Sequence, residues 1–145
     1  MSIRLTATAI ILAAAATGVA VASAPGPGRP LYANLRANLE IPGPGKRDAR
    51  GMAEVRVTPG RNRVCYDVNY RNIPRATMAH IHSGRPGVAG PPVVTLRMPM
   101  GGTSRGCATV SRALARDLLD RPGAFYVNVH SQSFPEGAIR GQLRR

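Results

Sequence analysis

The sequence predicts an all-β fold, an antiparallel sandwich or barrel of seven or eight strands with one short helix. Three observations favour this class. Short runs of residues alternate apolar with polar side chains, the runs are separated by turns rich in glycine and proline, and helical spacing of apolar residues occurs only once. Many short strands joined by such turns, in one domain of this length, are typical of sandwiches and barrels.

The first 22 residues stand apart from the predicted domain, because an arginine near the start precedes a long apolar run. Such a segment is typical of a secretory signal peptide, and the small residues Ala20 and Ala22 place the cleavage site after Ala22. Residues 23–30, rich in proline and glycine, predict a linker ahead of a domain over residues 31–145. The alternative is an uncleaved membrane anchor, since a span needs roughly 18 apolar residues. After removal of the signal we expect no transmembrane span.

The predicted domain begins with "LYANLRANLE", in which apolar and polar residues alternate so that leucine and alanine share one face. The pattern predicts a half-buried strand over residues 31–40, with Leu39 pointing inward and Glu40 outward. The segment "IPGPGKRDARG" breaks the alternation and predicts a surface loop. Two more strands are predicted in "MAEVRVT", which ends at a turn at Pro59-Gly60, and in "RVCYDVNY".

The second half of the domain predicts five more strands and the helix. The strands are "TMAHIHS", "VVTLRM", "GCATV", "AFYVNVHS" and "AIRGQL", and the segments "GRPGVAGPP", "PMGGTSR" and "QSFPEG" are predicted loops. Ser111 is the predicted helix N-cap, because Leu114, Leu118 and Leu119 follow it at helical spacing. The helix is expected to stop at Pro122.

The two cysteines, Cys65 and Cys107, are predicted to form a disulfide bond. Both fall in the strand phase that points away from the core, which suits a bridge between neighbouring strands. Export would place them in a compartment where disulfides persist. Closing a loop of roughly 43 residues is expected to stabilise the fold by about 4 kcal/mol, less any strain. The alternative is a pair of free buried thiols.

The chain is strongly basic, with 20 lysines and arginines against 7 acidic residues and a net charge of +13. A surface of this sign attracts anionic polymers or lipids. The arginines are spread along the chain rather than clustered, and no nucleic-acid motif accompanies them, so nucleic acid is not expected as a partner. The partner classes that remain are an extracellular protein and an anionic polymer of the cell envelope.

All three histidines of the chain fall in the strand phase that points away from the core. In "MAHIHS", Ala79 and Ile81 take the apolar phase, which leaves His80 and His82 together on the other face. The same parity applies to the last two strands. The polar cluster predicted in this way consists of His80, His82, Asn128, His130, Arg140 and Gln142.

Two long motifs resemble the CHRD domain, a module named after chordin and found in many secreted bacterial proteins. "AHIHSGRPGVAGPPVV" is similar to the first signature of that family and "YVNVHSQSFPEGAIRGQL" to its ending, and the resemblance covers residues 31–143. It implies an immunoglobulin-like sandwich or barrel with limited similarity to copper/zinc superoxide dismutases. It also implies an extracellular setting, as in chordin, an antagonist of growth factors. Ala138 departs from the family pattern, because many relatives have a glutamate there.

The predicted function is that of a secreted, non-enzymatic binding or structural module. The sequence has no paired carboxylates in a catalytic pattern, no nucleophile elbow and no zinc-protease helix, so no catalytic residues are predicted. In such a module the polar cluster either binds a ligand or holds loops against the sheet.

A metal site is the alternative role for the histidines, with His80, His82 and His130 as ligands of copper or zinc. Two histidines on one face of a strand lie about 6.5 to 7 Å apart at Cα, so both imidazoles reach one ion if a third comes from a neighbouring strand. Asn128 or Gln142 would then orient an imidazole. Superoxide dismutase activity is not expected, because the dismutase pattern needs further histidines and this chain has three.

Overall fold

A computed structural model describes residues 28–97 and 99–145 of the chain. The described residues form eight strands and one α-helix: β1 Arg29–Arg36, β2 Arg50–Thr58, β3 Arg63–Arg71, β4 Ala76–Ser83, β5 Pro92–Thr95, β6 Thr103–Thr109, α1 Arg112–Asp120, β7 Phe125–Ser131 and β8 Phe134–Gln142. The predicted signal peptide lies outside the described residues. Of the predicted linker, residues 28–30 are described, and the last two of them already belong to β1.

All eight strands belong to one antiparallel sheet in the order β5-β4-β7-β8-β1-β2-β3-β6. The sheet has two four-stranded halves, β5-β4-β7-β8 and β1-β2-β3-β6, which meet where Arg140 lies opposite Arg36. It forms a nearly closed barrel or sandwich around one hydrophobic core. The prediction of an antiparallel all-β fold with seven or eight strands and one short helix is therefore confirmed.

The core is filled by alternate residues of the strands, as the apolar phase of the sequence predicts. Val55, Val64, Ile81, Val127 and Ile139 come from five different strands, and none of them has exposed surface. Fully burying an aliphatic side chain of this size stabilises the fold by about 1.5–3 kcal/mol. The inward side chains of both halves of the sheet therefore supply most of the apolar burial.

The helix α1 packs next to β2 and follows its predicted bounds closely. Ser111 is the N-cap, and its Oγ accepts a hydrogen bond from the backbone N–H of Leu114 at 3.1 Å. Leu118 and Leu119 are buried, and the helix ends before Pro122. Among the residues that the structure describes, no helix is long and apolar enough to cross a membrane.

The end of the first strand differs from its prediction. Strand β1 stops at Arg36, and a short 3-10 helix, Ala37–Leu39, follows it. A 3-10 helix has three residues per turn, so the two-residue parity of the strand is lost there. Leu39, predicted inward, is 43% exposed, whereas Glu40, predicted outward, is only 8% exposed.

All four predicted loops also belong partly to strands. Strand β2 begins at Arg50 and strand β5 at Pro92, inside the ends of the segments predicted as the loops "IPGPGKRDARG" and "GRPGVAGPP". Strand β6 begins at Thr103 and strand β8 at Phe134, inside the segments predicted as the loops "PMGGTSR" and "QSFPEG". In β8 the backbone keeps pairing close to the turn, with Ser131 opposite Phe134. Backbone pairing of this kind does not require apolar and polar side chains to alternate. The hydrophobic pattern therefore did not predict these strand residues.

The disulfide bond is formed as predicted, between Cys65 and Cys107. The two cysteines are direct cross-strand partners on β3 and β6. Neither is buried, so the bridge lies on the outer face of the sheet rather than in the core. It ties the edge strand β6 to its single neighbour.

Candidate functional site

The predicted polar cluster is brought together on the outer face of β4, β7 and β8. Cross-strand register places His80 beside Asn128 and Asn128 beside Arg140 in one row. A second row, one step along the strands, joins His82 to Tyr126 and Tyr126 to Gln142, and the third histidine, His130, lies opposite Met78. All six predicted side chains therefore share one region of the sheet.

This outer face is covered rather than solvated. Asn128 and Arg140 are each 3% exposed, and every residue of β7 is buried. His82 and His130 are buried too, while His80 and Gln142 are half-buried. Two segments of chain cover this polar face: the 84–91 loop between β4 and β5, and the segment around Glu40.

The 84–91 loop is held to the sheet at Gly90. The Nδ1 atom of His82 lies 2.8 Å from the Gly90 carbonyl oxygen. The Tyr126 hydroxyl accepts a hydrogen bond from the Gly90 N–H at 3.2 Å and lies 3.3 Å from the same carbonyl oxygen. Gly90 is required at this position, because a Cβ atom there would collide with the backbone of Ser83. Both polar atoms of the Gly90 backbone are therefore bound by side chains of the sheet.

The same loop is held at two more positions by side chains of β8. The Gln142 amide donates to the carbonyl oxygen of Gly84 at 2.6 Å and to that of Gly123 at 2.8 Å. The Arg140 guanidinium donates to the Val88 carbonyl oxygen at 3.1 Å. Each hydrogen bond of this kind contributes a net stabilisation of about 0.5–1.5 kcal/mol. The loop is thus attached at its start, its middle and its end.

Tyr126 is the aromatic centre of this arrangement. Its ring stacks on His82, with a centroid distance of 4.8 Å and an angle of 14° between the planes. The guanidinium carbon of Arg140 lies 3.5 Å from the Tyr126 ring centroid, a cation–π contact out of bulk water. Tyr126 was not predicted as a member of the cluster, although it shares the strand phase of Asn128 and His130.

The three histidines form a compact group in which each could offer one ring nitrogen to a common ion. One candidate ligand atom from each lies within 4.8 Å of the other two, and the described residues hold no other such group of three. His80 Nδ1 is 3.1 Å from His130 Nε2, and His130 Nδ1 is 2.9 Å from the Pro135 carbonyl oxygen.

The hydrogen bonds fix which ring nitrogens carry protons. A carbonyl oxygen only accepts, so His130 and His82 are protonated at Nδ1, which bonds Pro135 and Gly90 respectively. Their Nε2 atoms then carry lone pairs. His130 Nε2 accepts from His80 Nδ1, whereas His82 Nε2 is buried and has no hydrogen-bond partner.

The surroundings keep all three imidazoles neutral. Burial lowers the pKa of His80 to about 4, helped by the neighbouring histidines His130 and His82. Burial also lowers the pKa of His82 and of His130, against the hydrogen bonds to backbone carbonyls, which raise them. Neutral imidazole is the form that binds metal ions.

Glu40 is a second buried ionisable group at the cluster, and the sequence analysis missed it. Burial raises the pKa of Glu40 to about 8, although the charge of Arg140 and a 3.4 Å hydrogen bond from Asn128 act in the opposite direction. Glu40 Oε1 and Asn128 Oδ1 are both buried without a partner. A protonated Glu40 carboxyl has a hydrogen to donate, and the Asn128 oxygen is the neighbouring group that lacks one.

The niche of Glu40 depends on a glycine of β8. A Cβ atom on Gly137 would collide with the Glu40 carboxylate, and the φ angle there is +152°. The Glu40 carboxyl lies close enough to Arg140 for the arginine charge to act on its pKa. No signal in the sequence marked Glu40, because the alternating pattern continued through it.

Comparison with known proteins gives one match. The family model described as CHRD domain matches residues 31–143 of the chain. No curated protein and no solved structure matches it. The two motifs that resemble this family contain all six residues of the polar cluster and the 84–91 loop.

Proposed function

Since the chain belongs to the CHRD domain family, we propose that it acts as a secreted, non-enzymatic module of the cell envelope or extracellular space, with a binding or structural role. The predicted signal peptide and the disulfide bond support export, because disulfides persist in oxidising compartments. The extracellular setting of the family in chordin supports it as well.

A single observation carries the proposal: side chains of β4, β7 and β8 form hydrogen bonds with backbone groups of the 84–91 loop. Three members of the polar cluster, His82, Arg140 and Gln142, thereby hold the loop together with Tyr126. The outer side of that loop is exposed, including Arg85 and Val88. A loop held in one conformation loses less entropy when a partner binds it, so such a loop is a favourable binding surface.

The proposal is tested by substituting the hydroxyl that holds Gly90. In Tyr126→Phe the ring and its stacking on His82 remain, but the Gly90 N–H loses its acceptor. We expect the Gly90 amide to exchange with solvent about fivefold faster, the equivalent of roughly 1 kcal/mol. Tyr32→Phe is the matched control, because Tyr32 is 41% exposed and does not contact the loop. Equal exchange at Gly90 in both variants and the wild type would argue against the holding role.

A second function, binding of copper or zinc, is favoured by one specific feature of the histidine group. His82 Nε2 is a buried lone pair without a partner, and candidate ligand atoms of His80 and His130 lie within 4.8 Å. The bonds from Nδ1 of His82 and of His130 to carbonyl oxygens are the outer contacts that metal-binding imidazoles usually make. Three imidazoles suit copper or zinc and leave one coordination position open.

The metal function is tested on the untagged, oxidised protein. Stoichiometric copper or zinc, measured after dialysis against each ion and lost in His82→Ala, supports it. Met78→Ala serves as the control, because Met78 is the exposed cross-strand neighbour of His130. Wild-type protein that remains metal-free, with histidine variants that only unfold at lower temperature, would leave the histidines with a structural role.

A third function uses the net charge of +13, which favours adhesion to anionic polymers of the envelope. Adhesion of this kind weakens as salt is added, because exposed charges are screened within about 8 Å at physiological ionic strength. Retention on an anionic matrix that is unchanged at molar salt would exclude it.

A further inference from the structure

Three arginines from neighbouring strands lie side by side on the outer face of the β1-β2-β3 half of the sheet. Strand register places Arg36 opposite Arg50 and Arg50 opposite Arg71, and all three side chains are exposed. Adjacent strands are about 4.8 Å apart, so the row spans about 10 Å. The fold therefore brings together arginines that are far apart in the sequence.

Repulsion within this arginine row is expected to lower the stability of the fold. Like charges directly opposite one another on a sheet repel and destabilise it. The ion pairs in the described part of the chain involve other cations, such as Arg56 with Glu54 and Arg105 with Asp67. Asp48 has a lowered pKa, caused chiefly by its hydrogen bond to Lys46 and least by the charge of Arg50. The row thus has positive charge that its surroundings do not balance.

The arginine row lies in a groove. One concavity of about 560 Å³ is lined by the three arginines of the row, with Asn34, Met52 and Tyr70 among its other walls. A second, of about 420 Å³, contains Arg47 and shares Arg36 and Arg50 with the first. The two concavities thus border one another at Arg36 and Arg50 and together present four arginines, more than a single small anion needs.

We propose that this arginine groove binds an acidic polysaccharide through the carboxylates of successive sugars. The proposal rests on the adhesion function above and names its site and ligand. Guanidinium groups bind carboxylates with paired, charge-assisted hydrogen bonds. The exposed amide of Asn34 is available to sugar hydroxyls, and Met52 offers an apolar surface for a ring.

The shape and the side chains of the groove favour this ligand over other polyanions. Grooves for single-stranded nucleic acid stack successive bases on several aromatic side chains, whereas Tyr70 is the one aromatic residue that lines this groove. A lipid bilayer presents a flat array of headgroups, which would contact the rims of a groove rather than its floor.

The proposal is tested by binding of the oxidised, untagged protein to polygalacturonate at low salt. Arg50→Gln removes the central charge of the row, and we expect it to weaken binding about tenfold. Arg112→Gln is the matched control: it removes the same charge from an exposed position on α1, and we expect it to change affinity by less than about twofold. Arg50→Lys keeps the charge but loses the paired geometry, and should fall between the two.

Other outcomes distinguish a failure of the proposed site from a failure of the adhesion function. Equal losses in Arg50→Gln and Arg112→Gln would overturn the groove but keep adhesion by overall charge. Absence of wild-type binding to polygalacturonate at low salt would overturn both. Tighter binding to phosphatidylserine vesicles or to single-stranded DNA, with the same dependence on Arg50, would keep the groove and overturn the polysaccharide as its ligand. Binding of neutral dextran with equal affinity would overturn the role of charge.

Discussion

The Nδ1 atom of His80 lies 3.1 Å from the Nε2 atom of His130, so the two imidazoles from adjacent strands are joined by a hydrogen bond. The bond requires that one ring donates and the other accepts, and the accepting ring must be neutral. Protonation of both rings would place two positive charges in contact inside a covered face. The ionisation state of this pair is therefore coupled to the stability of the fold.

Acid is expected to destabilise the protein through the histidine cluster. Because burial lowers the pKa of His80 from 6.5 to about 4, the unfolded chain binds more protons than the folded one between these values. The contribution of His80 to stability is thus complete above pH 6.5 and falls as the pH drops toward 4, by up to about 1.4 kcal/mol per pH unit. Urea unfolding measured from pH 7 to pH 4 checks this, and His80→Gln should reduce the slope. The same pH dependence in wild type and His80→Gln would disagree with the burial of the pair.

Glu40 is expected to produce the opposite dependence at higher pH. Because burial raises the pKa of Glu40 from 4.5 to about 8, the folded state binds more protons than the unfolded chain between these values. Stability is therefore lost as the pH rises through this range, and above pH 6.5 the histidines no longer mask the loss. Glu40→Gln, which is neutral at every pH, should flatten the decline between pH 6.5 and 8. The same decline in wild type and variant would assign it to another group.

The niche that receives Glu40 predicts a strong effect of a small substitution. In Gly137→Ala the added methyl group meets the Glu40 carboxylate, and the backbone there has a φ of +152°. We expect a loss of more than about 1 kcal/mol of stability, measured by thermal or urea unfolding. Gly60→Ala is the control, because a Cβ atom on Gly60 meets nothing within 4 Å. Equal effects of the two substitutions would show that Glu40 does not occupy this niche.

The disulfide bond predicts two results. Mild denaturation without a reductant should expose no thiol that reacts with a thiol reagent. The double variant Cys65→Ala and Cys107→Ala should lose about 4 kcal/mol in the chain-entropy description, less any strain, because the bridge closes a loop of roughly 43 residues. Two reactive thiols per chain in the denatured wild type would contradict the bridge.

Strand parity predicted most of the cluster, because residues two apart on a strand share a face whatever the partner strand is. His80, His82 and His130 could be grouped in this way, and so could the outward position of Cys65 and Cys107. Glu40 was predicted in the wrong direction, since a 3-10 helix interrupts the parity one residue after β1. A helix of three residues leaves too little periodicity to detect.

Groups of side chains that are aligned by strand register could not be predicted from the sequence pattern. Arg36, Arg50 and Arg71 are aligned only because the hairpins of β1, β2 and β3 have particular lengths. The covering of the outer face was also missed, because an alternating strand predicts which side chains point away from the core but not whether a loop lies over them. The polar residues of β7 consequently looked exposed and are buried.

We expect His82, Tyr126, Arg140 and Gln142 to hold the 84–91 loop against the sheet without needing a metal ion, and this is the central claim. The most direct test is amide hydrogen exchange at Gly84 and Gly90 in protein freed of metal with a chelator, comparing wild type with Gln142→Ala. Gln132→Ala is the control, because Gln132 is exposed and bonds Arg75 instead. We predict that both amides stay protected in the metal-free wild type and in the control, and exchange faster in Gln142→Ala. Rapid exchange of both amides in the metal-free wild type, restored to slow exchange by zinc or copper, would contradict the claim.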